Sequence, residues 1–473
     1  MIIILLLFIH ILGFLSAIHA VMTVRTSQGA IAWAISLATF PYIALPTYWL
    51  LGRSKFQGYT TAKQSSDLKV QAQLVSLQQK LIPYRATNLN NTERAIENLV
   101  TLPYLVANEI DLLVDGKATF ASILSGITSA KDYILFQFFI VHDDEIGEEI
   151  KNALIARAKQ GIKIYFLYDE IGCHDLPEHY KNQLRAAGIA VYDFHTQKGI
   201  RNRFQVNFRN HRKIIVVDGE TAWLGGLNIG DEYLGRNTKF GHWRDTHMKI
   251  SGPSVIPIQI SFVQDWYWAT ESHLQKLQWQ PKVADEFDKN LTRKVLIVPS
   301  GPADSLETTG LLFVQVINDA KERLWITSPY FIPDQSIVKA LQLAALRGVD
   351  VRILIPDIAD HIAVYLAAFT YFDETCQTGV RIYRYKQGFL HQKVMLIDQQ
   401  HASIGTANLD NRSFRLNFEI TAMVSDVDFN QQVEAMLLED LSHAILVPKD
   451  ELSSKSFLFK LATRVARLTA PIL

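Results

Sequence analysis

The sequence predicts an α/β fold built twice in one chain. Its sheets are mixed, its copies meet at a pseudo-twofold around one site, and two apolar segments precede it. Three observations carry that prediction. The text K-Q-G-I-K-I-Y-F-L-Y-D, ending at Asp169, returns as L-R-G-V-D-V-R-I-L-I-P-D, ending at Asp357. A five-point pattern is also repeated: His211, Lys213, Asp218, Gly225 and Asn228 recur as His391, Lys393, Asp398, Gly405 and Asn408, each 180 residues on. Finally, Arg25 is the one charged side chain in residues 1–52.

Taken in order, residues 1–22 are long and apolar enough to cross a hydrocarbon core of about 30 Å, and residues 29–51 form a second such run. Prolines 41 and 46 are tolerable in a span, and Tyr48 and Trp49 suit an interfacial anchor. Arg53, Lys55, Lys63 and Lys69 follow, so the basic bias puts the C-terminal side in the cytoplasm, with a small external loop at Arg25. This makes residues 1–55 a membrane anchor of two transmembrane helices. Residues 56–100 read as linker and helix, 101–290 as the first α/β unit, 291–450 as the second, and 451–473 as an amphipathic tail.

Within the first unit, Leu105–Gly116 reads as a short strand or loop pair turning at Asp115-Gly116. Phe120–Ala130 is helix-like, Ile134–Val141 an apolar strand, Glu145–Gly161 a helix ended by its glycine, and Ile162–Tyr168 the next strand. Strand–helix–strand at this length is a βαβ unit. The second unit repeats it with Leu324–Thr327, Ser336–Arg347 and Val349–Ile355. Gln259–Trp268 is an aromatic helix whose Trp266 and Trp268 face different sides, as packing residues do. In the tail, Phe457, Leu461, Val465 and Leu468 recur at helical spacing among Lys460, Arg464 and Arg467, a pattern suited to an anionic membrane surface or to docking on the body.

Composition excludes some classes. The 47 basic and 47 acidic residues leave no net charge to favour nucleic acid. Two cysteines, Cys173 and Cys376, give neither zinc spacing nor a disulfide framework, and read as small buried hydrophobes.

The chemistry lies in the repeat. Ile214–Val217 is β-branched and favours a strand, on which positions i and i+2 share a face. An imidazole and an ammonium side by side can hold one anion. Two such pairs, with Asn228 and Asn408, suit a phosphodiester: one neutral histidine attacks phosphorus, one protonated histidine serves the leaving alkoxide, and lysines hold the charge. No metal or other cofactor is called for. Asp218 and Asp398 close the motif and read as ties for the strand-end loop. Thr406 offers a hydroxyl near the phosphate where the first copy has Gly226. His247 is placed to line the cleft; His142, His174, His195 and His242 read as surface or supporting residues.

The two His-x-Lys-x4-Asp motifs resemble those of the phospholipase D superfamily. The segments W-R-D-T-H-M-K-I-S-G-P (Trp243–Pro253), S-P-Y-F-I-P-D (Ser328–Asp334) and G-T-A-N-L-D-N-R-S-F-R-L-N-F-E (Gly405–Glu419) resemble the bacterial cardiolipin synthases within it. The resemblance covers essentially the whole chain. It implies a phospholipase D-like duplicated sandwich at the bacterial inner membrane. It also implies reversible phosphatidyl transfer from one phosphatidylglycerol to another, giving cardiolipin and glycerol through a phosphatidyl-histidine. His211, Lys213, Asp218, His391, Lys393 and Asp398 form the catalytic set, with His211 as nucleophile and His391 as acid/base. Asn228, Asn408 and Thr406 are expected at the phosphate. Glu419 is expected to orient His391 and Asp245 to orient His211. A hydrolytic phospholipase D, or a synthase using phosphatidylethanolamine as donor, is the alternative reading; a dead scaffold is disfavoured because both histidines and both lysines are present.

Overall fold

The computed structural model describes residues 2–52, 59, 76–77, 79–195, 207–283 and 293–473. The basic cluster Arg53, Lys55, Lys63 and Lys69 and the junction at 284–292 lie outside them.

The duplication is visible strand for strand. The first sheet runs Glu109–Val114, Thr246–Ser251, Thr221–Gly225, Ile214–Val217, Tyr133–Phe138, Lys163–Asp169, Ala190–Phe194. The second runs Lys294–Ser300, Asn417–Ser425, His401–Gly405, Val394–Ile397, Arg323–Thr327, Asp350–Pro356, Arg381–Tyr385, and adds Ala444–Leu446 at its edge. Both are mixed: Tyr133–Phe138 pairs parallel with Lys163–Asp169 and antiparallel with Ile214–Val217, and Arg323–Thr327 does the same with its two neighbours.

Period-2 alternation explains the layering. Ile214 and Val216 join Val394, Leu396, Ile404 and Ile420 in one core between the two sheets. Ile215 and Val217 point the other way, into a core with the helices Asp115–Ser129, Glu145–Lys159 and Glu178–Ala186. Met395 and Ile397 do likewise under Thr308–Asp319, Gln335–Leu346 and Ile362–Cys376. The result is a helix–sheet–sheet–helix sandwich. The motif strands are buried on both faces, which is why they read as unbroken apolar runs. Trp266 and Trp268 are both buried in the helix Val255–Thr270, as packing residues. The turn expected at Asp115-Gly116 is instead the start of a helix, Asp115–Ser129. Gly116 is needed there because a β-carbon would sit 2.1 Å from the Tyr233 carbonyl oxygen.

Among the described residues one helix, Ile2–Thr23 at the N-terminus, is long and apolar enough to cross a membrane. The second expected span is not one helix. It is two, Ser27–Thr39 and Pro41–Leu51. Pro41 has no N–H to continue the helix and bars Phe40 from helical backbone (φ −131°, ψ 58°), so the chain breaks there. It then folds back. Near the break, the β-carbon position of Gly13 lies 2.8 Å from Pro41 and 2.5 Å from the Leu37 carbonyl oxygen. Further on, Tyr48 returns beside Trp33, with ring centroids 5.2 Å apart, and its hydroxyl lies 2.7 Å from His19. In the loop between the first two helices, Arg25 pairs with Glu307 of the α/β body at 2.5 Å and lies 3.8 Å from Asp334.

Candidate active site

Each motif histidine enters the sandwich on a two-residue strand that pairs with the other half. Arg209–Asn210 runs parallel to Asn417–Phe418, and the N–H of His211 donates to the carbonyl of Phe418 at 2.9 Å. Phe389–Leu390 runs parallel to Trp243–Arg244, and the N–H of His391 donates to the carbonyl of Arg244 at 2.8 Å. This exchange decides the carboxylate partners. In each case the acid sits one residue beyond the pair of residues that the histidine's own strand has joined.

The pairing is therefore crossed. His211 Nδ1 meets Glu419 at 2.9 Å, and His391 Nδ1 meets Asp245 at 2.8 Å. The sequence reading had the same four residues with the partners the other way round. A carboxylate only accepts, so each Nδ1 carries its proton toward the acid and each Nε2 is left with a lone pair. Both carboxylates are wholly buried. Burial works to raise Glu419, but His211 and Lys213 outweigh it and hold the acid below its usual range. Lys393 and His391 do the same for Asp245.

The bases are shifted strongly. Burial pushes His211 down to about 4; Glu419 opposes this, while Lys213 and Lys393 add to it. Burial and then Lys393 push His391 down to about 4. Burial also depresses the lysines, Lys393 to about 8 despite Asp245 and Glu419, and Lys213 well below its ordinary value. The two imidazoles and two lysines thus feel one another across the half-to-half junction. A dense, dry set of this kind, holding two lysines, is relieved by an anion.

The family model described as "Cardiolipin synthase, PLD-like domain" matches the chain twice, at residues 123–243 and 313–441. Cardiolipin synthase A of Pseudomonas putida W619 is 46% identical over 98% of this chain and 97% of its own length. Cardiolipin synthase A of Pseudomonas fluorescens SBW25 is 46% identical with the same coverage. The chain belongs to the cardiolipin synthase family. The crystal structure of a phosphatidylserine synthase from Haemophilus influenzae Rd KW20 shares the fold at a TM-score of 0.63 and 18% identity, covering 81% of this chain and 100% of that one.

Within this cardiolipin synthase fold, several expected site residues turn out to support others. Asp218 stands at the strand end in left-handed backbone (φ 55°), and its carboxylate accepts the N–H groups of Lys131, Asp132 and Tyr133, each at 2.8 Å. Asp398 (φ 50°) accepts those of Lys321, Glu322 and Arg323 at 2.8–3.2 Å. Both tie the motif strand to its neighbour, as the sequence reading of them as strand-end ties expects. Thr406 does not offer its hydroxyl to a phosphate. It donates to Glu419 at 2.6 Å and accepts the N–H of Ile420. Ser413 and Asn417 hold the second oxygen of Glu419 at 2.9 and 3.1 Å. Asn228 uses its oxygen on the N–H of Ile140 (3.1 Å) and one amide hydrogen on Tyr233 (3.0 Å), leaving one hydrogen to give. Asn408 is buried, and its side-chain carbonyl oxygen has no partner among the described residues.

Sequence reasoning missed the layer beneath. Arg212, between the motif residues, makes two bonds to Asp265 at 2.8 and 2.9 Å. Its counterpart Gln392 donates to Asp440 at 2.7 Å, and Arg244 reaches that aspartate from the other half at 2.5 and 2.9 Å. A lone arginine or glutamine inside a motif carries no signal of its partner; the available hint was that a polar residue faced the buried side of a strand. His247 is also buried. Its Nδ1 lies 3.3 Å from the N–H of Leu227 and its Nε2 has no partner among the described residues, so it sits behind Asp245 as a core group.

Proposed function

We propose that this chain makes cardiolipin by moving a phosphatidyl group from one phosphatidylglycerol to another. His211 Nε2 attacks phosphorus, the bond from phosphorus to the glycerol oxygen breaks, and His391 delivers a proton to that oxygen. In the second step the hydroxyl of a second phosphatidylglycerol loses its proton to His391 and attacks phosphorus, and the phosphorus–nitrogen bond to His211 breaks. Lys213, Lys393, Asn228 and Asn408 balance the charge on the phosphoryl oxygens. The observation that carries this reading is the crossed pair of buried His–carboxylate contacts. It gives two imidazoles whose Nε2 atoms carry lone pairs, each ring oriented by the opposite half.

The assignment of roles rests on a difference between them. Glu419 is held by Thr406, Ser413 and Asn417 as well as by His211, so the His211 ring has a fixed aim, as a nucleophile needs. The Lys393 ammonium lies 2.8 and 3.1 Å from the two ring nitrogens of His391. A bound phosphate drawing Lys393 away would let His391 take up the proton it must give.

The division into an anchor (1–55), two phospholipase D-like units (101–290 and 291–450) and a tail fits the two sheets. We place the body on the cytoplasmic face of the inner membrane. Arg25 meets the body, and the fold-back at Phe40 returns Tyr48 to His19, near that same end, so the cation of Arg25 falls on the body's side. Ile2–Thr23 then crosses once and 27–51 dips in and returns.

The test is the purified protein in detergent–phosphatidylglycerol micelles, following cardiolipin and free glycerol together. Equal amounts of both, lost in a His211→Ala variant, are expected. Phosphatidic acid without cardiolipin would make the chain a hydrolase instead.

A further inference from the structure

The C-terminal helix Phe457–Arg467 is half docked. Phe459 packs edge-on against Phe369 (centroids 5.0 Å apart), Thr463 is buried, and Arg467 pairs with Glu374 and stacks on Tyr371 at 4.6 Å. The opposite face is apolar and open: Phe457, Leu458, Leu461, Val465 and Leu468 lie along one stripe and are 76%, 74%, 48%, 56% and 79% exposed. Five large apolar side chains on one face of a docked helix exceed the scattered exposure of an ordinary surface. Lys460 and Arg464 border the stripe.

Its position is informative. The carbonyl of Leu473, just beyond this helix, accepts the N–H of Arg412 at 3.0 Å. Arg415, in the same short helix as Arg412, bonds to Glu307 and Asp334, the two carboxylates that Arg25 meets at the root of the apolar N-terminal segment. Leu306 and Leu311, beside Glu307, are themselves 56% and 42% exposed. One small network thus joins the tail to the place where the chain enters the bilayer.

We propose that the exposed face of Phe457–Arg467, with Leu468, is a second lipid contact, lying in the interface of an anionic bilayer beside the N-terminal anchor. It rests on the reading that this chain acts at a membrane. The apolar stripe enters the acyl boundary while Lys460 and Arg464 stay at the headgroups, as interfacial helices require. The occupant is lipid rather than a second copy because that network ties the tail to the root of the anchor, and the cations bordering the stripe match phosphatidylglycerol.

The experiment places an environment-sensitive fluorophore at one cysteine in the full chain, reconstituted in phosphatidylcholine vesicles with or without phosphatidylglycerol and with nitroxide-labelled lipid. Native Cys173 and Cys376 are buried and do not compete. Three variants are compared: Leu461→Cys on the stripe, Ile11→Cys in the first apolar helix and Lys159→Cys on the distant surface. The proposal expects a blue-shifted emission at position 461 that nitroxide lipid roughly halves, more so with phosphatidylglycerol, and no quenching at position 159. Quenching at position 11 with none at 461 overturns the tail contact and leaves the anchor standing. Absence of quenching at both overturns the two together. A blue shift at 461 that lipid does not quench and dilution removes assigns the face to a second copy and overturns the proposal.

Discussion

The two halves of the site carry the same four groups but support them differently. On the His211 side the orienting acid is a glutamate, long enough to be gripped by three neighbours, and Thr406 is one of them. On the His391 side the acid is an aspartate, whose second oxygen accepts the N–H of Thr246 at 2.8 Å, and Gly226 stands where the other copy has Thr406. A β-carbon at Gly226 would lie 2.0 Å from that oxygen. The glycine makes room for the short acid; the threonine fills space and adds a donor for the long one. The lysines differ as well. Each lysine donates to the carbonyl of its own histidine, but Lys393 also lies against the His391 ring. The duplicated motif thus carries one histidine whose acid is gripped by three further donors and one whose ring also meets a lysine.

The largest test of that difference uses a phosphatidyl donor with a p-nitrophenyl leaving group, which needs no proton. His391→Asn is expected to form a phosphatidyl adduct on the protein, visible by intact mass, that then persists. His211→Asn should form none. Turnover on phosphatidylglycerol should fall by about a thousandfold or more in both. An adduct in His211→Asn and none in His391→Asn would reverse the roles.

Next comes pH. Each histidine titrates near 6.5 when unfolded but near 4 in the folded protein. Between those values the unfolded chain binds more protons, so stability is lost as pH falls from about 6.5 to about 4, by up to about 3 kcal/mol per histidine. Denaturant titration at pH 7 and pH 4.5 reads this loss. Lys393→Met should raise the His391 value more than the His211 value, because Lys393 ranks just behind burial for the former and well behind it for the latter. Equal movement of the two ring resonances in an NMR titration would break the comparison.

A smaller effect separates the glycine from the threonine. Gly226→Ala pushes Asp245 off His391 and should cost about a hundredfold in kcat/KM. Thr406→Val removes one donor to Glu419 and should cost about tenfold, in line with about 1–1.5 kcal/mol for one hydrogen bond. The reverse order in steady-state kinetics would mean that the threonine touches substrate after all.

The smallest effect on rate belongs to the motif aspartates. Asp218→Asn and Asp398→Asn weaken three N–H contacts each and should lower stability by about 1–3 kcal/mol, with kcat/KM of the folded protein near that of the parent. A large loss of rate with unchanged melting would return them to the catalytic set.

Much of this molecule was legible in one dimension. The repeat, the βαβ units and the two motif strands are local patterns. Period-2 burial puts Ile214 and Val216 on one side and Ile215 and Val217 on the other without reference to distant residues. The resemblance named all four members of the crossed pairs. What the chain order could not decide was who meets whom. His211 and Glu419 are 208 residues apart, and His391 and Asp245 are 146 apart. Their pairing follows from two short strands that cross between the halves, and spacing alone cannot distinguish a carboxylate in the same half from one in the other. The same limit explains Thr406, whose hydroxyl looked available until Glu419 arrived beside it. Asp265 and Asp440 were invisible because they lie on helices far along the chain. At the anchor, hydropathy measured how apolar residues 29–51 are but not which way they run; Pro41 and the contacts of Gly13 and His19 decided that. Sequence alone determined the elements, their order and the chemical groups. Tertiary structure decided the partners, because hydrogen bonds and ion pairs act through a few ångströms of space whatever the distance along the chain.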